Sequence, residues 1–198
     1  MRASVILVLA IMTGCARLSP PAPPPATDSA AARHAARLGA LTHFRVASRI
    51  AVQRGDRGMS ADLDWMQADQ AFDLRVIAPL GRGSFRLAGD ATRVVFDGPR
   101  GEHHAAADAE ALMQSQLGWS LPLGGARYWV RGIPSPASVA AQALTDEQGR
   151  YSDFAQDGWR ISIGEYMQSS GYDLPRKLFL SRGELKVKLA IKSWQPTP

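Results

Sequence analysis

From Phe44 onward the chain alternates apolar and polar residues with period two, the signature of strands that bury one face. Phe44, Val46, Ile50 and Val52 alternate with Arg45, Ala47, Arg49 and Gln53. Met59, Ala61, Leu63 and Trp65 alternate with Ser60, Asp62, Asp64 and Met66, and Phe72, Leu74 and Val76 enclose Asp73 and Arg75. Phe85 and Leu87 flank Arg86, and Val94-Val95-Phe96 follows. Gly55-Asp56, Gln67-Ala68-Asp69, Pro79-Leu80-Gly81, Gly89-Asp90 and Asp97-Gly98-Pro99 punctuate the runs as turns. The alternation resumes at Trp159, Ile161 and Ile163, at Leu178 and Leu180, and at Leu185, Val187, Leu189 and Ile191. The pattern predicts a meander of about ten strands, too many to leave one apolar face uncovered.

Period 3.6 occurs in three places. Residues 29–41 (SAAARHAARLGAL) are Ala-rich, with Asp28 or Ser29 placed as the cap and His34, Leu38 and Leu41 as a thin apolar stripe. Asp108 to Gly118 sets Leu112, Met113 and Leu117 on one face, and a short helix is predicted over Ala126–Val130. The expected fold is mainly β: a strongly curved antiparallel sheet, or incomplete barrel, with helices over its concave apolar face. Helices that fill such a sheet only partly leave an apolar cavity. Trp65, Phe72, Leu74, Met113, Leu117 and Trp129 are the candidate lining residues, each of which could equally be plain core.

The amino terminus reads as an address. Arg2 followed by Val5–Met12 forms an export signal, far shorter than the ~20 apolar residues that span a bilayer. Met12-Thr13-Gly14-Cys15 resembles the lipobox of bacterial lipoproteins, which implies a signal peptide over residues 1–14 and lipid on Cys15. Ala16 stands where an Asp would imply retention at the inner membrane, so the resemblance favours the outer membrane, with the body lipid-anchored on its periplasmic face. Residues 15–27 form a Pro-rich tether; ARLSPPAPPPA alone would reach roughly 34 Å as polyproline II. Residues 28–198 form the body.

Composition adds mostly exclusions. The 198 residues are 45% hydrophobic and 21% charged, as in globular chains. A net charge of +5 invites a nucleic-acid reading, but loss of the first fourteen residues leaves 22 basic against 18 acidic residues, a net +4. The one basic stripe, Arg182, Lys186, Lys188 and Lys192, lacks the interleaved exposed aromatics of a single-strand platform, so no nucleic-acid partner is expected. It suits a solvated face, an acidic partner or anionic headgroups. A single cysteine excludes a disulfide framework and a zinc site of several thiolates. Gly81-Arg82-Gly83-Ser84 lacks the Lys-Ser/Thr of a phosphate loop, and His103 and His104 point oppositely if on a strand. Asp62 and Asp64 have no base nearby in the chain. Neither enzyme chemistry nor a metal is expected.

A set of short elements follows in order: Ser48-Arg49-Ile50-Ala51-Val52, Trp65, Ala78-Pro79-Leu80-Gly81, Asp97-Gly98, Asp108-Ala109-Glu110, Leu117-Gly118 and Leu121-Pro122. Trp129-Val130-Arg131-Gly132, Gly158-Trp159, Tyr166, Leu174-Pro175 and Trp194 complete it. Together with the lipobox, this order and spacing resemble the LolB family; Ser48 and Ala126 depart from its usual Gly and Leu. The resemblance implies a non-catalytic acceptor. Such a protein takes lipoproteins from the periplasmic carrier LolA, holds their acyl chains in the cavity and inserts them into the outer membrane. It implies that Pro79, Leu80 and Gly81 form a protruding loop for that insertion. The expected partners are LolA, client lipoproteins and outer-membrane lipid, and the expected state is a monomer. The expected lipids are the one on Cys15 and the clients' acyl chains, with no cofactor. The alternative is a generic outer-membrane lipoprotein with a structural or assembly-scaffold role.

Overall fold

A computed structural model describes residues 29–79 and 83–197; Cys15, its lipobox, the whole tether, and Leu80 and Gly81 lie outside them. Among the described residues are three helices, α1 (Ala30–Gly39), α2 (Ala109–Leu117) and α3 (Leu123–Trp129). Six strands precede α2: β1 (His43–Arg54), β2 (Arg57–Ala68), β3 (Ala71–Ile77), β4 (Ser84–Gly89), β5 (Val94–Asp97) and β6 (His103–Ala106). Five follow α3: β7 (Ala141–Thr145), β8 (Tyr151–Gln156), β9 (Trp159–Ser169), β10 (Tyr172–Arg182) and β11 (Leu185–Thr197).

All eleven strands form one antiparallel sheet in the order β6-β5-β4-β3-β2-β1-β11-β10-β9-β8-β7. The sheet is two meanders joined where β1 pairs with β11, leaving β6 and β7 as edges. The alternation does what period two demands: Phe44, Val46, Ile50 and Val52 are buried, as are Ala61, Leu63 and Trp65 across β2. On the outer face, carboxylates on the same or the neighbouring strand neutralise most cations. Arg45 pairs with Asp64, Arg49 and Lys192 with Asp62, and Arg75 and Arg86 with Asp73. Arg160 pairs with Asp153, and Arg176 and Lys177 with Glu165. Asp62 and Asp64 are thus structural charges.

Three features differ from the sequence reading. The sheet has eleven strands where about ten were expected, because β6 and β7 carry no apolar alternation and every residue of β7 is exposed. The helix expected over Ala126–Val130 begins three residues earlier, at Leu123. Gly124 and Gly125 mask it, since glycine is a poor helix former, yet Gly125 is needed: a Cβ there would lie 2.9 Å from the Trp129 ring. The first helix stops at Gly39, short of the Leu41 that the stripe included, and Ser29 is its cap, accepting from the Ala32 amide at 3.1 Å.

Arg131 pins α1 to the body. Its side chain is buried at 2% exposure, and Nη1 donates to the carbonyls of Leu38 at 2.6 Å, Gly39 at 3.3 Å and Leu41 at 2.7 Å. These include carbonyls that the end of a helix leaves without partners, and a cation there suits the helix dipole. Burial pushes the guanidinium pKa down to about 10, well above neutrality, so the charge persists.

Candidate functional site

The helices cover the concave face unevenly. Trp129 of α3 is fully buried 6.0 Å from Trp159. Its indole donates at 2.7 Å to Gln156, whose Oε1 also accepts from the Ser135 amide and whose Nε2 donates to the carbonyls of Ser135 and Ser138. One buried glutamine thus satisfies its hydrogen-bonding capacity while fastening α3 and the following loop to β8. This half of the sheet is packed.

The other half is packed around Trp65, Leu74 and Met113 but hollow toward one end. A cavity of about 700 Å³ lies beneath α2, walled by Met59, Val76, Phe85, Phe96 and Leu117, with Phe85 and Phe96 stacked at 5.5 Å. Register explains the placement: Val76 faces Phe85 across β3 and β4, one row nearer the turns than Leu74 and Leu87. A second cavity of about 590 Å³ adjoins it, lined by Val52, Met59, Leu117 and Trp119. Met59 and Leu117 border both, so a flexible thioether side chain forms part of the partition.

The large cavity opens at the end of the sheet where β3 turns into β4. Its rim includes Ala78, Pro79, Gly83, Pro99, Arg100 and Glu102. The Ala78 amide donates to the Gly83 carbonyl at 3.0 Å, closing the stem of the loop that carries Leu80, and Pro79 is exposed. Gly83 holds φ of 115°, and a Cβ there would approach Pro99 to 3.0 Å, so glycine is required. Across the mouth, backbone amides of Glu102 itself and of Arg100, then the Arg100 guanidinium at 3.0 Å, hold the Glu102 carboxyl below its ordinary pKa. The mouth is charged and the interior apolar, as an amphipathic guest requires.

Of the six residues singled out in the sequence, Leu117 lines this cavity. Phe72 lines a smaller depression of about 280 Å³ at the opposite end. Trp65, Leu74, Met113 and Trp129 border neither cavity and are buried in the core. Met59, Val76, Phe85 and Phe96, although visible as strand residues, were not singled out as lining. Distance along the strand from the mouth, set by register, separates lining from core, and a linear pattern does not carry it. His103 and His104 sit on β6, where His103 Nδ1 meets Asp97 at 2.7 Å. Among the described residues no group of three or more metal-ligating side chains exists.

The model of the family "Outer membrane lipoprotein LolB" matches residues 42–194. The chain belongs to the LolB family. It is 36% identical over 194 residues to the outer-membrane lipoprotein LolB of Pseudomonas syringae pv. syringae, covering 97% of this chain and 94% of the relative. It is 32% identical over 195 residues to that of Nitrosococcus oceani, covering 98% and 97%. A LolA superfamily protein from Nitrosomonas europaea shares the fold, with a TM-score of 0.53 over 83% of this chain and 94% of that one, at 7% identity. Membership in the LolB family places the chain at the outer membrane as a lipoprotein. Both departures noted in the sequence fall inside the body: Ala126 is buried in the core, and Ser48 is buried beside the register shift of β1 against β11.

Proposed function

We propose that this LolB-family protein serves lipoprotein localisation as an acceptor. It takes lipoproteins from the carrier LolA, shelters their acyl chains in the cavity and passes them into the outer membrane. The observation that carries this is the cavity of about 700 Å³ with aliphatic and aromatic walls, opening beside the Pro79–Gly83 loop. Each buried methylene contributes about 0.8 kcal/mol, so a chain of a dozen methylenes supplies ample affinity without any catalytic group. Release then needs only a deeper apolar refuge nearby, which a bilayer offers. Cys15 carries the lipid that anchors the body, and the Pro79-Leu80-Gly81 segment meets the membrane interface.

Leu80→Glu tests the reading. The substitution places a charge in the segment while leaving Met59, Val76, Phe85, Phe96 and Leu117 unchanged. The variant is expected to fold and to take up acylated client from LolA, but to deliver it to liposomes at a small fraction of the wild-type rate. Delivery at the wild-type rate refutes the role of the loop, and a wild-type protein that takes up no client refutes the acceptor reading.

A further inference from the structure

The hairpin β1–β2 and the hairpin β10–β11 stand side by side at the end of the sheet where the cavity opens, since Arg54 lies opposite Leu185 in the β1–β11 register. Their tips, residues 51–60 and 180–188, carry five exposed cations, Arg54, Arg57, Arg182, Lys186 and Lys188, against two acids, Asp56 and Glu184. Unlike most cations on the outer face, none of the five is in an ion pair among the described residues. Arg54 donates to the Gly118 carbonyl, Arg182 lies 4.7 Å over the Trp159 ring and Lys188 lies 5.1 Å over Phe179. Phe179 is itself 38% exposed, which places an apolar ring among the charges. A groove of about 760 Å³ lies between the two hairpins, lined in part by Ala51, Ser60 and Phe179.

We propose that this corner is a docking surface for a bilayer rich in anionic headgroups, its cations meeting lipid phosphates while Phe179 contacts the interface. Unneutralised cations with an exposed aromatic match such a surface in charge and polarity. The anchor permits it. Ala30 of α1 packs against the β7–β8 turn, where a Cβ on Gly149 would collide with its backbone, so Ser29 emerges at the opposite end of the sheet. Fourteen peptide steps separate Cys15 from Ser29, a reach of up to about 46–50 Å. The twelve residues of β1 span about 40 Å. A tether of that length lets the lipidated end and the cationic corner meet one membrane, with the cavity mouth turned toward it. The proposal rests on the reading of this end as the delivering end.

The test uses the mature chain with Cys15→Ala, sedimented with phosphatidylcholine vesicles with or without phosphatidylglycerol. Binding is expected only with phosphatidylglycerol, and is expected to weaken as salt is raised. Arg57→Gln with Lys186→Gln and Lys188→Gln is expected to lower partitioning about 100-fold, at roughly five-fold for each basic residue. Lys192→Gln, whose parent ammonium already pairs with Asp62, is expected to change it little. Uptake of a fluorescent acyl probe is expected to remain unchanged in both. Equal binding to both vesicle types, or wild-type binding by the triple variant, overturns the proposal. So does a triple variant that binds vesicles normally but no longer receives client, which would assign the corner to a protein partner. Loss of probe uptake in the wild type with vesicle binding intact would instead sink the cavity reading and leave the docking surface standing.

Discussion

Met113 and Leu117 sit one turn apart on α2, yet truncating them is expected to have opposite consequences. Met113 is 3% exposed and belongs to the packed core, whereas Leu117 is partly exposed and borders both cavities. Met113→Ala removes close-packed atoms that the surroundings cannot replace, at a cost of about 2–5 kcal/mol. At about 2–4 °C per kcal/mol for a domain of this size, the melting temperature falls on the order of 10 °C. Leu117→Ala deletes three carbons at the edge of the core that border the cavities, so its melting temperature is expected to shift by less than about 3 °C. The same three carbons would contact a bound acyl chain, at about 0.8 kcal/mol each. Affinity for a fluorescent fatty-acid analogue is then expected to drop by up to about 50-fold, since each 1.4 kcal/mol is tenfold. Thermal melts and a fluorescence titration on both variants decide the matter. A Leu117→Ala protein that binds the probe like wild type while melting 10 °C lower would make Leu117 plain core and remove the cavity from the mechanism.

Further expectations follow from other parts of the fold. Cys15→Ala is expected to yield a folded protein that high salt releases from membranes, because only the salt-sensitive cationic contact is left, and that still accepts client; inability to accept client would show that the lipid does more than tether. Arg131→Met keeps length but strips the donor from the carbonyls of Leu38, Gly39 and Leu41. With buried groups left unsatisfied at about 1–3 kcal/mol each, it is expected to lose roughly 3 kcal/mol or more and to expose α1 to protease, and unchanged protection of α1 would refute the pinning role. The Asp73 carboxyl is held below its ordinary pKa, first by hydrogen bonds from Arg86 at 2.7–3.1 Å. A depressed carboxylate adds stability that is present at neutral pH and lost as pH falls through its lowered folded value. Asp73→Asn is therefore expected to reduce stability at pH 7 by about 1 kcal/mol and to flatten its decline in acid; a variant that matches the wild type's acid profile would show the pair contributes nothing.

The sequence was most legible where one periodicity acts alone. The long strands β1 and β2 alternate along nearly their whole length and β11 from Leu185 to Lys192, and α2 has both its signals, Asp108 accepting from the Glu110 and Ala111 amides and Gly118 in the left-handed region at φ of 77°. It was least legible where partners far along the chain decide. Edge strand β7 has no buried residue to betray it, and its order depends on pairing with β8. Gln156 looks like an ordinary polar strand residue until Trp129, Ser135 and Ser138 converge on it. The basic stripe illustrates a finer limit. Lys192 lies on the same strand and face as Lys186 and Lys188, but Asp62 on β2 lies within 2.7 Å of its ammonium, whereas Lys186 and Lys188 lie opposite Gln53 and Ala51, which offer no charge.

The size of the cavity constrains how the protein lives without a guest. A sealed, dry void of about 700 Å³ would cost roughly 17 kcal/mol at ~24 cal/mol per Å³. Whole domains are stable by only about 5–15 kcal/mol, so a closed empty cavity of this volume would unfold the chain. The structure avoids the penalty by opening the space to water at the mouth between Pro79, Pro99 and Arg100. It places its strongest packing elsewhere, in the Trp129–Trp159–Gln156 cluster and the Arg131 clamp on α1. Rigidity is thereby concentrated in the half of the sheet that holds α3, while the half under α2 is left to be completed by a guest. An acyl chain entering there replaces water against Val76, Phe85 and Leu117 and needs no opening of the core. The same architecture favours departure, since the way out passes between the loop stem at Ala78–Gly83 and the β5–β6 turn and crosses none of the packed half.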